Sequence, residues 1–141
     1  MPLTFNDAVN SKPEGTGQRS AWRALQAWQY LIGRAHNRQM VRYGELSGLM
    51  DYANNQALTS VLNNIMQYCR QHALPPLTIL VVNQEGVPGA GFTTVNSKTP
   101  YREQEEVFAY PWFKLVPPTP EDFQAAIAWS KQQAASEPSD R

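Results

Sequence analysis

Cysteine, histidine and grouped carboxylates are the side chains best suited to covalent or acid–base chemistry, and this chain holds few of them. Its one cysteine, Cys69, comes after Leu58, Val61, Leu62, Ile65 and Met66 at spacings of three and four, which is the apolar stripe of a helix. A thiol on such a stripe packs as a small apolar group, whereas a nucleophile needs a neighbouring base or cation to make thiolate. His36 and His72 fall at the ends of expected helices, where imidazolium interacts favourably with the helix dipole. Neither has an acid at metal-ligand spacing. Glu103, Glu105 and Glu106 cluster without a strand to hold them, and read as a solvated connector. Residues 86–91, GVPGAG, have the glycines of a phosphate loop but not its Lys–Ser/Thr or its adjoining helix. The sequence therefore implies no metal, no cofactor and no catalytic centre.

Binding chemistry is better represented. The helix expected over residues 57–72 carries Thr59, Ser60, Asn63, Asn64, Gln67 and Arg70 opposite its apolar stripe. A solvated helix face usually carries Glu and Lys; this one is polar and almost uncharged. Hydroxyls and amides of this kind donate to phosphates or read base edges. Arg38 and Arg42 lie a little upstream and offer the planar guanidinium that phosphates favour. These eight residues are the candidate DNA contacts. A second candidate surface is the aromatic run at 107–115, where Tyr110, Trp112 and Phe113 suit either a protein partner or the cover of a sheet.

Composition limits the classes open to it. At 141 residues the chain is one domain by size and buries roughly two-thirds of its unfolded surface. Twelve bases balance twelve acids, which argues against a strongly basic nucleic-acid coat protein. The charges are unevenly spread: through Arg70 seven bases face four acids, a balance of +3, and the remainder carries −3. Residues 1–17 contain no apolar run, and the longest unbroken apolar stretch is far too short to cross a bilayer. A single cysteine excludes an internal disulfide. The expectation is a protein of the reducing cytoplasm, with no membrane contact.

The elements that would position these groups are read from periodicity and punctuation. Residues 1–17 read as a flexible arm. A first helix is expected over 18–36, with Trp22, Leu25, Trp28, Ile32 and Ala35 on its inner stripe. An extended piece at 39–42 leads to a short helix over 43–50. A turn at 51–56, in which Asn54 or Asn55 acts as helix cap, leads into the amide-rich helix. Leu74-Pro75-Pro76 stops that helix, since an interior proline costs about 3 kcal/mol. Residues 77–83, LTILVVN, read as a buried strand, joined by the glycine-rich turn to a second strand at 92–95, a hairpin wing. Residues 97–106 read as polar connector, and 107–115 as a strand or extended segment broken at Pro111. Thr119-Pro120-Glu121-Asp122 opens a last helix running to about 135, with Phe123, Ala126, Ile127 and Ser130 facing inward, before a polar tail at 136–141. The expected fold is a small α+β winged-helix-like domain over 18–135, a helix–turn–helix plus wing with an extra helix at each end.

Val41-Arg42-Tyr43-Gly44-Glu45-Leu46, the amide-rich helix and Leu77-Thr78-Ile79-Leu80-Val81-Val82-Asn83-Gln84-Glu85-Gly86 together resemble the C-terminal winged-helix domain of alkylguanine-DNA alkyltransferases and alkyltransferase-like proteins. In that family a Tyr-Gly pair opens the first helix of the helix–turn–helix, and the second enters the DNA minor groove behind an arginine finger. A Pro-Cys-His-Arg-Val-Val-Asn-x-x-Gly segment then holds the acceptor cysteine. Here Val81, Val82, Asn83 and Gly86 match that segment, but the reactive positions fall on Thr78, Ile79 and Leu80, and the finger position falls near Gln56. The resemblance, which spans residues 41–92, implies a scaffold that binds DNA without alkyl transfer. Two functions are expected: a non-enzymatic DNA-binding or DNA-associated accessory protein, or a protein-interaction module such as a subunit or inhibitor in a bacterial defence or toxin system.

Overall fold

Ala21, Ala24, Ala27, Trp28, Leu31 and Ala35 line one side of a 19-residue helix and are all buried. The computed structural model describes residues 4–52, 56–85 and 100–136. Its elements are α1 (Phe5–Asn10), α2 (Gln18–His36), β1 (Val41–Arg42), α3 (Tyr43–Leu49), α4 (Gln56–Gln71), β2 (Val81–Val82), α5 (Pro100–Ala109) and α6 (Pro120–Ser136). Two 3-10 turns, Leu77–Leu80 and Trp112–Lys114, precede β2 and α6 respectively. The fold is a small, mostly helical α+β domain.

The core is the mutual contact of α2, α4 and α6. The alanines of α2 let the neighbouring helices approach closely, and Trp28 fills the space that results. Its ring meets Tyr68 at 5.4 Å, Trp112 at 5.6 Å and Phe123 at 6.2 Å, all edge-on, the arrangement that aromatic quadrupoles favour. Of the expected stripe of α2, Trp28 and Ala35 are buried. Trp22, Leu25 and Ile32 are half-buried, while the small residues beside them take the centre. Periodicity weighted by size points to the large residues; close packing selects the small ones.

α2, α3, α4 and α6 stand where periodicity placed them, within one or two residues at their ends. α6 begins with a reciprocal cap: the Asp122 amide donates to Thr119 Oγ1 at 3.2 Å, and the Thr119 amide donates to Asp122 Oδ2 at 2.8 Å.

Four expectations are corrected. The arm at 1–17 contains α1, capped by Thr4, whose Oγ1 accepts from the Asp7 amide at 3.0 Å. The run at 77–83 is not one strand: residues 77–80 form a 3-10 turn and only Val81 and Val82 are extended. All six are buried, because the turn packs against α2, α4 and α5; an unbroken apolar run reports burial rather than conformation. β2 pairs in parallel with β1, Val41 opposite Val81 and Arg42 opposite Val82. The expected second strand at 92–95, the wing tip at 86–91 and the capping Asn54 or Asn55 lie outside the described residues.

The third correction concerns the connector at 97–106. From Pro100 onward it is the helix α5, with proline at the first helical position, where its missing N–H costs nothing. Glu103 on this helix is 1% exposed, not solvated. The fourth concerns 107–115. Residues 107–109 complete α5, and Trp112 swings into the core from the next 3-10 turn, its indole N–H donating to the Val107 carbonyl at 2.8 Å.

Burial pushes the Cys69 thiol up to about 12 from an ordinary 9.0, and desolvation raises the phenols of Tyr43, Tyr52 and Tyr68 as well. Each acid is held neutral by folding, so above pH 9 the unfolded chain loses protons that the folded one keeps, and stability falls as pH rises. Denaturation series between about pH 7 and 11 should show this decline, with part of it removed by Cys69→Ala. Below about pH 8 a thiol reagent should label Cys69 only in denaturant. Thr119→Ala should cost about 1 kcal/mol in the same denaturation assay through loss of the α6 cap.

Candidate nucleic-acid interface

α3 and α4 stand where the two helices of the expected helix–turn–helix were placed, and two constraints set α3 against the core. The β1–β2 pair fixes the strand from which α3 springs. Arg34 of α2 then ties α3 down: its guanidinium donates to Tyr30 Oη and to Glu45, and the Tyr30 hydroxyl also donates to Glu45 at 3.0 Å. α3 ends at Asp51 in the left-handed region, φ +58°. There the Asp51 amide donates to Gly48 O at 3.1 Å and the Tyr52 amide to Ser47 O at 3.0 Å, which satisfies carbonyls the helix would otherwise leave open.

α4 divides the expected amide face in two. Thr59, Ser60 and Asn63 are exposed together with Gln56 and Ala57. Asn64 and Gln67 are not: they are 3% and 8% exposed. Asn64 Nδ2 donates to Ser20 Oγ of α2 at 3.3 Å and to the Ser60 carbonyl at 2.9 Å. Gln67 Nε2 donates to Asn63 Oδ1 at 3.1 Å, and its own Oε1 accepts from Arg70 at 3.3 Å. Arg70 is exposed but stacks on Trp129 of α6, 6.0 Å from the ring centre. At a rise of about 1.5 Å per residue, it stands about 16 Å along the axis from Thr59. The second half of α4 is therefore occupied by α2 and α6, and the first half is presented outward.

The two upstream arginines also part. Arg38 bridges Glu105 at 2.7 Å and lies over the Phe108 ring at 4.9 Å, so it braces α5 against the end of α2. Arg42 is exposed and, among the described residues, makes no ion pair. Of the eight candidate DNA contacts, Arg42, Thr59, Ser60 and Asn63 are thus exposed on or just before α3 and α4, with Asn63 Oδ1 also accepting from buried Gln67. Two further bases are paired as Arg38 is: Arg19 with Glu14 at 3.3 Å and Arg34 with Glu45.

The aromatic candidates are similarly split. Trp112 is core. Tyr110 is half-buried against it, rings 4.7 Å apart. Phe113 is 64% exposed, edge-on to His36 at 5.7 Å, and near it in sequence Val116 is 86% exposed. Composition could not have singled out Val116, since only its lack of a packing partner distinguishes it.

Thr78, at the position the alkyltransferase resemblance reserves for cysteine, is buried between Leu77 and Ile79. Among the described residues no group of three or more His, Cys, Asp or Glu could hold a metal ion, and no helix is long and apolar enough to cross a membrane. No protein-family model, curated protein or solved structure matches this chain.

Proposed function

We propose that this protein is a non-enzymatic DNA-binding or DNA-associated accessory protein, using α3 and α4 as the helix–turn–helix of a winged-helix scaffold. One observation carries the reading. The outward half of α4 offers Gln56, Thr59, Ser60 and Asn63, all exposed, able to hydrogen-bond and uncharged, whereas Asn64 and Gln67 of its inward half are buried. A surface of this kind recognises base edges or phosphate oxygens by hydrogen bonding, and Arg42 adds one cation. The alkyltransferase resemblance supports the same use of the scaffold. Thr78 in place of the acceptor cysteine, and a Cys69 held as neutral thiol, fit binding without group transfer.

A protein partner is the second reading, favoured by Phe113 and Val116, two large apolar side chains left exposed. It would suit a subunit or inhibitor in a bacterial defence or toxin system.

Fluorescence anisotropy with labelled duplex and single strand, at about 50 and 200 mM salt, tests the first reading. With Arg42 as the proposed phosphate contact, log K should fall with log salt at a slope of only about −1 to −2. Asn63→Ala and Thr59→Ala should each weaken binding by roughly 1–3 kcal/mol. Arg42→Ala should flatten the salt slope by about 1, and Arg38→Ala should change it little, because Glu105 would remain beside any phosphate that Arg38 reached. Absence of binding to every duplex and single strand at low salt would remove the DNA reading. Loss of a co-purifying partner on Phe113→Ser, with DNA binding absent, would favour the second.

A further inference from the structure

The segment that precedes α2 is seated on the turn of the helix–turn–helix. Phe5 of α1 meets Trp22 of α2 at 6.2 Å, and Val9 is 4% exposed. Arg23 of α2 lies between two rings, 5.8 Å from Phe5 and 5.3 Å from Tyr52, and donates to Asn6 Oδ1. Asn6 in turn donates through Nδ2 to Asp51 Oδ2 at 3.3 Å. A continuous polar chain, Arg23 to Asn6 to Asp51, thus joins α2, α1 and the left-handed residue that ends α3. Behind α1, Arg19 donates to the Lys12 carbonyl at 2.8 Å and to the Asn10 carbonyl at 3.0 Å, and Lys12 lies over the Trp22 ring at 4.4 Å.

We propose that residues 4–16 are a strap that regulates the helix–turn–helix: seated, α1 holds Asp51 and Tyr52 in place; unseated, it releases them. The reason is the small size of what holds it. α1 has six residues, well below the roughly 12–15 at which a helix is stable alone. Val9 is its one buried residue, and its other tethers are exposed or half-buried hydrogen bonds and ring contacts. Segments anchored this lightly open locally far more often than the core does. Anything that binds the turn then changes how often the strap is seated, and the strap changes binding by the same factor. The effect on DNA rests on the proposed function; the effect on the turn does not.

Hydrogen exchange of the full chain, read on peptides covering 4–16, 47–52 and the core of α2, separates the two. In the wild type the α1 amides should exchange about 100-fold faster than those of α2. Val9→Asp should unseat α1 and raise exchange of the Asp51 and Tyr52 amides about tenfold, with α2 unchanged. Asn6→Ala, which cuts the polar chain without burying a charge, should do the same to a smaller degree. Duplex affinity should fall about fivefold in Val9→Asp, and saturating duplex should slow α1 exchange by a similar factor in the wild type. Unchanged exchange at Asp51 and Tyr52 in both variants would overturn the strap. Raised exchange with unaltered duplex affinity would overturn its regulatory role. Raised exchange in a protein that binds no DNA at all would overturn the DNA reading and leave the strap standing.

Discussion

Trp28 is the residue on which the other elements converge. It sits on the alanine-rich side of α2, so the helices around it come close enough for its ring to touch Tyr68 of α4, Phe123 of α6 and Trp112 of the last 3-10 turn. Three segments far apart in sequence are thereby referred to one side chain. α4 cannot rotate without losing Tyr68, and the chain between α5 and α6 cannot leave without exposing Trp112. The direction in which α4 presents its outward half is fixed by this contact before any residue of the candidate interface is considered.

That arrangement explains why the sequence was informative in some places and misleading in others. α2, α4 and α6 carry local signals, periodicity and caps, and local signals survive folding. The 3-10 turn at Leu77–Leu80 carries no local signal of its shape. Leu, Ile and Val there record that the segment is enclosed by α2, α4 and α5, and enclosure is compatible with a strand or a turn. α5 was hidden for the opposite reason. Its charged, polar opening resembles a connector, yet Glu103 faces inward, a placement only tertiary context decides. α1 was hidden because it is too short to announce itself, and its partner Asp51 lies far down the chain.

The same distinction applies to the candidate site. Spacing alone grouped Thr59, Ser60, Asn63, Asn64, Gln67 and Arg70 on one face, and the helical arithmetic was sound. What it could not show was that Ser20 of α2 would claim Asn64, or that α6 would bring Trp129 beneath Arg70. A buried amide must be hydrogen-bonded or it destabilises the fold, so Asn64 and Gln67 are accounted for structurally. Part of the unusual amide content of α4 is therefore a core requirement. Only the exposed portion, in the first two turns, bears on the proposed binding.

Charge leads to the same division. Arg34 and Arg38 neutralise Glu45 and Glu105 while holding helices together, and exposed pairs of this kind contribute at most about 1 kcal/mol each to stability. Their larger consequence is electrostatic. An arginine beside its own carboxylate presents little net field to an approaching polyanion, even if it swings free, because the carboxylate remains. Three of the seven bases up to residue 70 are paired in this way. On the proposed function, recognition at α4 would depend on hydrogen-bond geometry more than on attraction. A surface that depends on geometry is sensitive to how firmly its supporting turn is held, and Asn6 of α1 is bonded to Asp51 at that turn.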